Sequence, residues 1–428
     1  MTKLHKYFLL LFLLTFAPLA AQAQLSLEHL QQAALQQRQA LKAQEHQIKR
    51  QDHRVQEQQG SYLPRVDLFY RGQESSRDDT LYERTPAYQG GAQMRWNLYN
   101  GGSDKAETSA RQQELHAALL NLDATEQQVQ LSVTLAFIDL WQARQGLETA
   151  QKALKQHERE AADAQLRYDA GVLRRDELLA LQVAAHQARY ERNAARTRLQ
   201  QARNTLARET GLNLEQQMLD FSPLTCEVPL HSAAEAVELL QKHSSLERFQ
   251  AGRIAAQKRA RAAWGGHLPR TDLSLNWTQE EDSWAPGQGE EDENAVTVML
   301  ELNWNIYQGG RIKARESQWQ QEAATQQALA QEHMASLKLQ LDNLFLDRGV
   351  ARDNLEVARE NIQQAEESLR INRLSYQEGI STVAELLQAI TARTRAEYQQ
   401  TSALCDLRRA EYRIVGLLEA FAQKEDES

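Results

Sequence analysis

The feature that most constrains this chain is that it is written twice. Leu63-Pro64-Arg65-Val66-Asp67-Leu68 recurs as Leu268-Pro269-Arg270-Thr271-Asp272-Leu273, offset by 205 residues. Trp96-Asn97-Leu98-Tyr99-Asn100-Gly101-Gly102 recurs as Trp304-Asn305-Ile306-Tyr307-Gln308-Gly309-Gly310, offset by 208. Tyr168-Asp169-Ala170-Gly171 answers to Tyr376-Gln377-Glu378-Gly379, and Glu177-Leu178-Leu179 to Glu385-Leu386-Leu387, again offset by 208. Shared blocks in one order define two copies of a unit, residues 24–230 and 231–428. Each copy opens with a helix of about 30 residues, 26–59 and 232–263, at the lengths such periodic patterns support. A strand hairpin follows, 65–100 and 270–308, and then a helical hairpin, 103–211 and 311–422. The fold class is mainly α with a small β part.

The strands carry period-2 alternation. In 92–99, Ala92, Met94, Trp96 and Leu98 share one face, and Gln93, Arg95 and Asn97 the other. In 296–306, Val296, Val298, Leu300, Leu302, Trp304 and Ile306 oppose Thr297, Met299, Glu301, Asn303 and Asn305. Residues 66–73 and 271–279 are weaker partners, with Leu68 and Tyr70, and Leu273, Leu275 and Trp277, as apolar faces. Segments of this length suit tilted strands crossing a bilayer of about 30 Å. The polar residues Gln93, Arg95, Asn97, Glu301, Asn303 and Asn305 then face a water-filled lumen. The competing reading is a half-buried hairpin on a soluble core. Four strands leave two open edges, which lipid does not tolerate, so membrane strands here require several copies of the chain. The connecting segments 74–87 and 280–294 are polar and read as solvated loops.

Helix follows from the absence of proline between 87 and 222 and from 287 onward. Leu115, Leu119, Leu122, Val129, Val133, Ala136, Leu140, Ala143, Leu147, Ala150 and Leu154 keep a 3/4 spacing that Glu126 interrupts. Leu337, Leu341, Leu344, Ala351, Leu355, Ala358, Ile362, Ala365 and Leu369 repeat it, with Arg348 as the interruption. Such spacing is a coiled-coil seam. At 1.5 Å per residue, 104–168 makes a helix of roughly 100 Å. The chain turns at Gly171 and Gly379, where glycine supplies a positive φ. Glu177 and Glu385 then fall in the first turn of each returning helix, where the helix dipole stabilises a carboxylate.

Composition excludes other classes. A length of 428 residues would serve two or three ordinary domains, but a mean hydropathy of -0.64 argues against one large dry core. Lys3 and Lys6 precede the apolar run Phe8 to Ala20 and the small-x-small site Ala21-Gln22-Ala23, so 1–23 reads as a signal peptide. Its removal takes the formal charge from -9 to -11 by losing two lysines, a poor balance for binding nucleic acid. Cys226 and Cys405 can pair in an oxidising compartment, but their number alone does not bring them together. The 11 His show neither a His-Glu-x-x-His pair nor a Cys-His cluster, so no metal site and no cofactor are expected. The run from Asn100 to Lys105 lacks the spacing of a phosphate loop and reads as a strand-to-helix turn with Ser103 or Asp104 near the N-cap. No nucleophile–base pairing is evident, so the chain is not read as an enzyme.

With these blocks in place, the chain resembles the TolC family of outer-membrane efflux and secretion channels over essentially its whole mature length. The duplicated Tyr-x-x-Gly-x5-acid element, Tyr168, Gly171 and Glu177, then Tyr376, Gly379 and Glu385, carries the resemblance most specifically. The resemblance implies a homotrimer in which three chains of four strands close a 12-stranded barrel in outer-membrane lipid, above an α-helical tunnel in the periplasm. It implies a passive exit for substrates of a tripartite efflux pump or type I secretion system. The implied partners are a periplasmic adaptor and an inner-membrane transporter of RND, ABC or MFS type. The helical-hairpin turns would form the periplasmic entrance, with Tyr376 able to bond Glu177. The competing reading of the residues themselves is that both tyrosines merely pack their turns, and it is the favoured one for Tyr168. Two positions depart from the family pattern: Gln388 stands for a second acid and Ser381 for a basic residue. The alternative function is a periplasmic coiled-coil adaptor, which would carry compact β-rich segments for which little chain remains.

Overall fold

A computed structural model of the chain describes residues 25–74, 86–214, 217–224, 226, 228–281 and 293–421. The signal peptide read at 1–23 lies outside the described residues, as do most of the two strand-connecting loops. The elements run α1 (Leu27–Gln37), α2 (Gln39–Gln59), β1 (Arg65–Glu74), β2 (Pro86–Asn100), α3 (Ser103–Asp169) and α4 (Arg175–Thr210). They continue α5 (Ala233–Leu240), α6 (Ser244–Trp264), β3 (Arg270–Glu281), β4 (Glu293–Asn303), α7 (Arg311–Gln377) and α8 (Val383–Leu417). No helix among the described residues is long and apolar enough to cross a membrane.

The leading helix of each copy is not continuous, contrary to the single helices read at 26–59 and 232–263. Arg38 is extended, with φ -66° and ψ 124°, and its guanidinium bridges Glu209 at 2.8 Å. His243, at φ -63° and ψ 132°, breaks the second. Apolar periodicity survives such a break, so the pattern hid it.

The chain divides into two compact units that each draw on both copies. One comprises residues 40–125 and 237–338 and holds the sheet, which is antiparallel in the order β1-β2-β3-β4. The repeated motifs build it. Trp96 Nε1 donates to Tyr62 O at 2.8 Å and Trp304 Nε1 to His267 O at 3.0 Å. In each copy the tryptophan block is thereby tied to the turn that precedes the Leu-Pro-Arg strand. Phe69 lies across from Gly91, where an added Cβ would stand 2.2 Å from Trp277 O. Only glycine lets β2 and β3 approach there.

The other unit comprises residues 1–39, 126–236 and 339–428. Its α3 seam buries Val129, Val133, Ala136, Leu140 and Ala150, and its α7 seam buries Leu341, Ala351, Leu355, Ala358, Ala365 and Leu369. Leu119, read as a seam residue, is instead exposed, because Ala118 and Leu120 take the inward positions at that level. Arg348, which interrupts the α7 seam, faces Glu411 at 3.6 Å. Glu411 is shared with Arg408, whose Nε donates to Leu224 O at 2.8 Å. That bond holds the segment between the copies on α8. Tyr398 Oη donates to Gly146 O at 3.0 Å, and Arg409 reaches Asp139 at 2.7 Å, linking α8 to α3. Cys226 and Cys405 are both free. Burial pushes the Cys405 thiol up to about 12.

Candidate functional site: an open sheet and two helical-hairpin turns

In the sheet, backbone register settles which residues share a face. Leu68 pairs with Ala92, Ala92 with Trp277, and Trp277 with Val296. Val66 pairs with Met94, Met94 with Leu275, and Leu275 with Val298. Side chains of directly opposed residues stand on one side, so these rows form a continuous apolar face. The face is not covered: Leu68 is 82% exposed, and Val296, Val298, Leu300 and Leu302 are all well exposed. On the opposite face Gln93 pairs with Asn276 and Asn276 with Thr297, while Arg95 lies opposite Ser274. Asn97 pairs with Asp272, and Asp272 with Glu301. Asn303 pairs with Arg270, whose Nε bonds Asp272 at 2.7 Å. Arg95 donates to Gln93 Oε1 at 2.6 Å, and Asn97 to Asp104 at 2.9 Å.

Two strand assignments need correction. β4 ends at Asn303, so Asn305 and Ile306 stand beyond the sheet. Its partner β3 begins at Arg270, which pairs with Asn303, and Pro269 before it has no N–H to continue the ladder. In β2 the register shifts between Asn97 and Tyr99. Tyr99, rather than Leu98, therefore pairs with Thr271 on the apolar side, because a bulge of one residue exchanges the faces beyond it. Alternation alone carries no sign of a bulge.

At the first hairpin turn, Gly171 has φ 76°, its N–H donates to Tyr168 O at 2.9 Å, and the Val172 N–H donates to Arg167 O at 3.0 Å. At the second, Gly379 has φ 74°, its N–H donates to Tyr376 O at 3.2 Å, and the Ile380 N–H donates to Ser375 O at 2.8 Å. Both are Schellman turns, and in such turns the residue after the glycine commonly packs back on the helix. Here Val172 is 75% and Ile380 81% exposed.

Glu177 and Glu385 both cap the returning helices. Glu177 Oε2 accepts from the Arg174 amide at a long 3.5 Å. Glu385 Oε2 accepts from the Thr382 amide at 2.8 Å, Ser381 Oγ at 2.8 Å and Thr382 Oγ1 at 3.1 Å. The Thr382 amide, then the two hydroxyls, hold the Glu385 carboxyl below the usual carboxylate range. Ser381, which stands where the family pattern has a base, is thus a donor to the capping acid. Gln388 lies on the exposed side of α8 beside Leu387, Thr391 and Arg395.

The two tyrosines differ in how they pack at their turns. Tyr168 is exposed at its turn. Tyr376 packs against Ala164, Leu178, Leu181 and Val383 on one side and Leu369, Leu386 and Ile390 on the other. Full burial of a Leu386 or Ile390 side chain is worth about 1.5–3 kcal/mol, so this cluster anchors the turn. The Tyr376 hydroxyl has no hydrogen-bond partner among the described residues, so it does not reach Glu177 in this conformation. Burial raises its pKa, opposed by the Arg167 charge and supported by Glu177 and Glu160. The Arg167 guanidinium lies over the Tyr376 ring at 5.3 Å. One link was missed in the sequence: Arg373 bonds Glu160 at 3.1 Å, joining α7 to α3 just above the turns. Nothing local marks two residues 213 apart as partners.

Among the described residues no group of three or more His, Cys, Asp and Glu is placed to hold a metal ion.

The sequence profile of the outer membrane efflux protein family matches this chain twice, over residues 30–212 and 236–419. Protein CyaE of Bordetella pertussis is 25% identical over 309 residues, covering 69% of this chain and 63% of that protein. The chain thus spans under two thirds of that relative's length. Outer membrane efflux protein BepC of Brucella suis is 22% identical over 367 residues, covering 86% of this chain and 75% of its own. Among solved structures, CusC, studied for folding and transmembrane channel formation, superposes with a TM-score of 0.80 at 15% identity. That match covers 92% of this chain and 91% of CusC.

Proposed function

Because the chain belongs to the outer membrane efflux protein family, we propose that it acts as a homotrimeric channel giving substrates a passive exit across the outer membrane. The observation that carries this reading is the four-stranded sheet with one exposed apolar face and two unpaired edges. In lipid an open edge strands backbone donors and acceptors, so further copies must close it. β1 and β4 run in opposite directions, so β4 of one copy can pair antiparallel with β1 of the next around a ring. The apolar face then meets lipid and the face bearing Gln93, Arg95, Asn97, Glu301 and Asn303 lines the passage.

The helices support a ring in the same way. On α7, Leu339, Leu346, Val350, Val357, Ile371 and Leu374 form a second apolar stripe that this chain leaves exposed. On α4, Leu179, Val183 and Tyr190 form another. Two different stripes favour a head-to-tail interface, which closes as a ring. Three copies follow from the family resemblance and give twelve strands.

In this assembly the turns at Gly171 and Gly379 form the periplasmic entrance. Arg373–Glu160 and Arg167–Tyr376 hold the two hairpins together, and Glu177 and Glu385 place carboxylates at the mouth. The exposed Val172 and Ile380 offer apolar contacts to a periplasmic adaptor, and transport energy comes from an inner-membrane transporter. The rival reading, that the chain is itself the adaptor, has no use for a continuous apolar sheet face.

The test is reconstitution. The purified mature chain should migrate as a heat-dissociable trimer and give discrete conductance steps in planar bilayers. A monomer that leaves bilayers sealed would refute the channel.

A further inference from the structure

The sheet already contains, once, the contact that its own edges lack. β2 and β3 belong to different copies of the repeat, and they pair antiparallel although α3, α4, α5 and α6 separate them in the chain. β4 is the repeat equivalent of β2, and β1 that of β3. Placing β4 beside β1 of a second chain therefore repeats the β2–β3 contact. The repeat offsets of 205 and 208 hold inside the two hairpins. Arg65 pairs with Arg95, and the offsets turn that pair into Arg270 with Asn303, which is the pair found. At the far end Glu74–Pro86 likewise becomes Gln279–Asn294.

The same offsets applied to β2–β3 give the seam between chains. Gln93–Asn276 becomes Glu301 with Arg71 of the next copy, so a neutral pair inside the chain is replaced by opposite charges. Both residues are exposed on the polar face, and neither has an ion-pair partner among the described residues; the Arg71 guanidinium lies over the Phe69 ring at 5.4 Å. Ala92–Trp277 becomes Leu300 with Gly72 of the next copy, so the row still sets one small residue against one large one. Beyond the bulge, Tyr99–Thr271 becomes Tyr307 with Val66 of the next copy. That gives a neighbour to the residues after Asn303. Ile306 and Tyr307 are 86% and 85% exposed, whereas their counterparts Leu98 and Tyr99, which have β3 beside them, are 45% and 47% exposed.

We propose that the chains of the ring meet in this one register, with Glu301 of each copy paired to Arg71 of the next and the segment from Trp304 to Gln308 completed as strand by the neighbour's β1. The inference rests on the ring of chains read above and adds which residues meet in it. A slip of one residue turns the apolar row of β4 away from lipid. A slip of two sets Glu301 against Phe69 or Gln73 and leaves both charges unpaired. Opposite charges directly across a strand pair stabilise it, so the Glu301–Arg71 pair selects one register from those the pleat allows. It stands where selection is needed, because no connecting segment aligns two separate chains. The close approach at Gly91 is not repeated: Met299 stands at that position, and the seam is wider there.

Disulfide trapping in isolated outer membranes tests the register, in a chain whose exposed Cys226 is replaced by serine. Directly opposed residues have Cα atoms about 4.5–5.5 Å apart, within disulfide reach, and residues displaced by two stand about 7–8 Å apart. Two double variants are in register: Glu301→Cys with Arg71→Cys, and Asn303→Cys with Phe69→Cys, the counterpart of Arg95–Ser274. On mild oxidation each should give covalent dimers and trimers that survive boiling. The yield should be about tenfold above that of the displaced combinations, Glu301→Cys with Phe69→Cys and Asn303→Cys with Arg71→Cys. Displaced pairs that cross-link as well as opposed ones, or four silent pairs in a protein that still runs as a heat-dissociable trimer, overturn the register and leave the channel standing. A chain that never forms that trimer sinks both. Where the cysteine variants do not assemble, charge exchange decides. Glu301→Arg should lower the temperature at which the trimer dissociates, and adding Arg71→Glu should restore it. An exchanged protein no more heat-stable than the Glu301→Arg variant overturns the pairing.

Discussion

In the proposed channel, opening of the entrance parts the two helical hairpins, and the Arg373–Glu160 pair is the contact whose loss should show first. The side chain of Arg373 is 40% exposed and that of Glu160 is 15% exposed. An exposed ion pair is worth about 0.2–1 kcal/mol, while breaking a buried one costs about 3–5 kcal/mol. A pair with one sheltered partner falls between, at about 1.5 kcal/mol, which is roughly a tenfold shift in the open-to-closed ratio. The two halves should not be equivalent. Arg373→Met leaves the sheltered Glu160 carboxylate uncompensated near Tyr376, whereas Glu160→Gln leaves a guanidinium that can turn to water. Single-channel recording in planar bilayers should show Arg373→Met open about tenfold more often than wild type, and Glu160→Gln several-fold. The charge-exchanged double variant, Arg373→Glu with Glu160→Arg, should return most of the way. Wild-type gating in both single variants, or a double variant no better than the worse single, would show that the pair does not hold the entrance.

Four further outcomes follow from the same geometry. Gly171→Ala and Gly379→Ala place a Cβ in open space, so the cost is the positive φ alone, about 1 kcal/mol each by thermal unfolding. Asn at either site should cost less. Gly91→Ala drives a Cβ onto Trp277 O and should prevent trimer formation, read as loss of the heat-dissociable band. Arg408→Met leaves Glu411 buried beside Arg348 alone and frees Leu224 O, which should cost about 3 kcal/mol in chemical unfolding. The Glu385 carboxyl is held low, so its cap is intact above the unfolded value and fails as pH falls through the folded one. Exchange at the start of α8 should rise below about pH 4, and Glu385→Gln should remove that dependence.

The parts of this structure legible in the sequence are those governed by period. Alternation from Val296 to Leu302 gave the correct faces because a pleated strand leaves no other choice. The α7 seam from Leu337 to Leu369 was read almost residue by residue, since that helix packs along one line. Leu119 failed because α3 at that level turns Ala118 and Leu120 inward, and a helix of 3.6 residues per turn drifts against a strict heptad. The bulge at Leu98, the breaks at Arg38 and His243, and the end of β4 at Asn303 all depend on what lies opposite, which a single strand of text does not contain. The turns were placed by Gly171 and Gly379, yet which of Tyr168 and Tyr376 packs its turn was not. The motif is the same in both copies, and only packing distinguishes the more exposed ring from the half-buried one.

That last contrast extends beyond the tyrosines. Duplication supplies two similar backbones, and four of the devices described above appear twice: a broken leading helix, a tryptophan tied to the turn before a strand, a Schellman turn and a capping acid. The side chains at those devices differ in one direction. Arg38 bonds a carboxylate where His243 bonds a serine. Glu177 takes one long amide bond where Glu385 takes three donors. Tyr168 is the more exposed at its turn, where Tyr376, half-buried near the end of α7, packs against α3, α4 and α8. At the turns, the second copy has the group whose surroundings are most perturbed. If the two copies were interchangeable parts of a uniform wall, equivalent substitutions would have equal effects. The asymmetry predicts otherwise: Tyr376→Ala and Glu385→Gln should alter conductance or its pH dependence, and Tyr168→Ala and Glu177→Gln should leave both near wild type. Equal effects from the two sets would mean that the chemical divergence of the second copy has no bearing on gating.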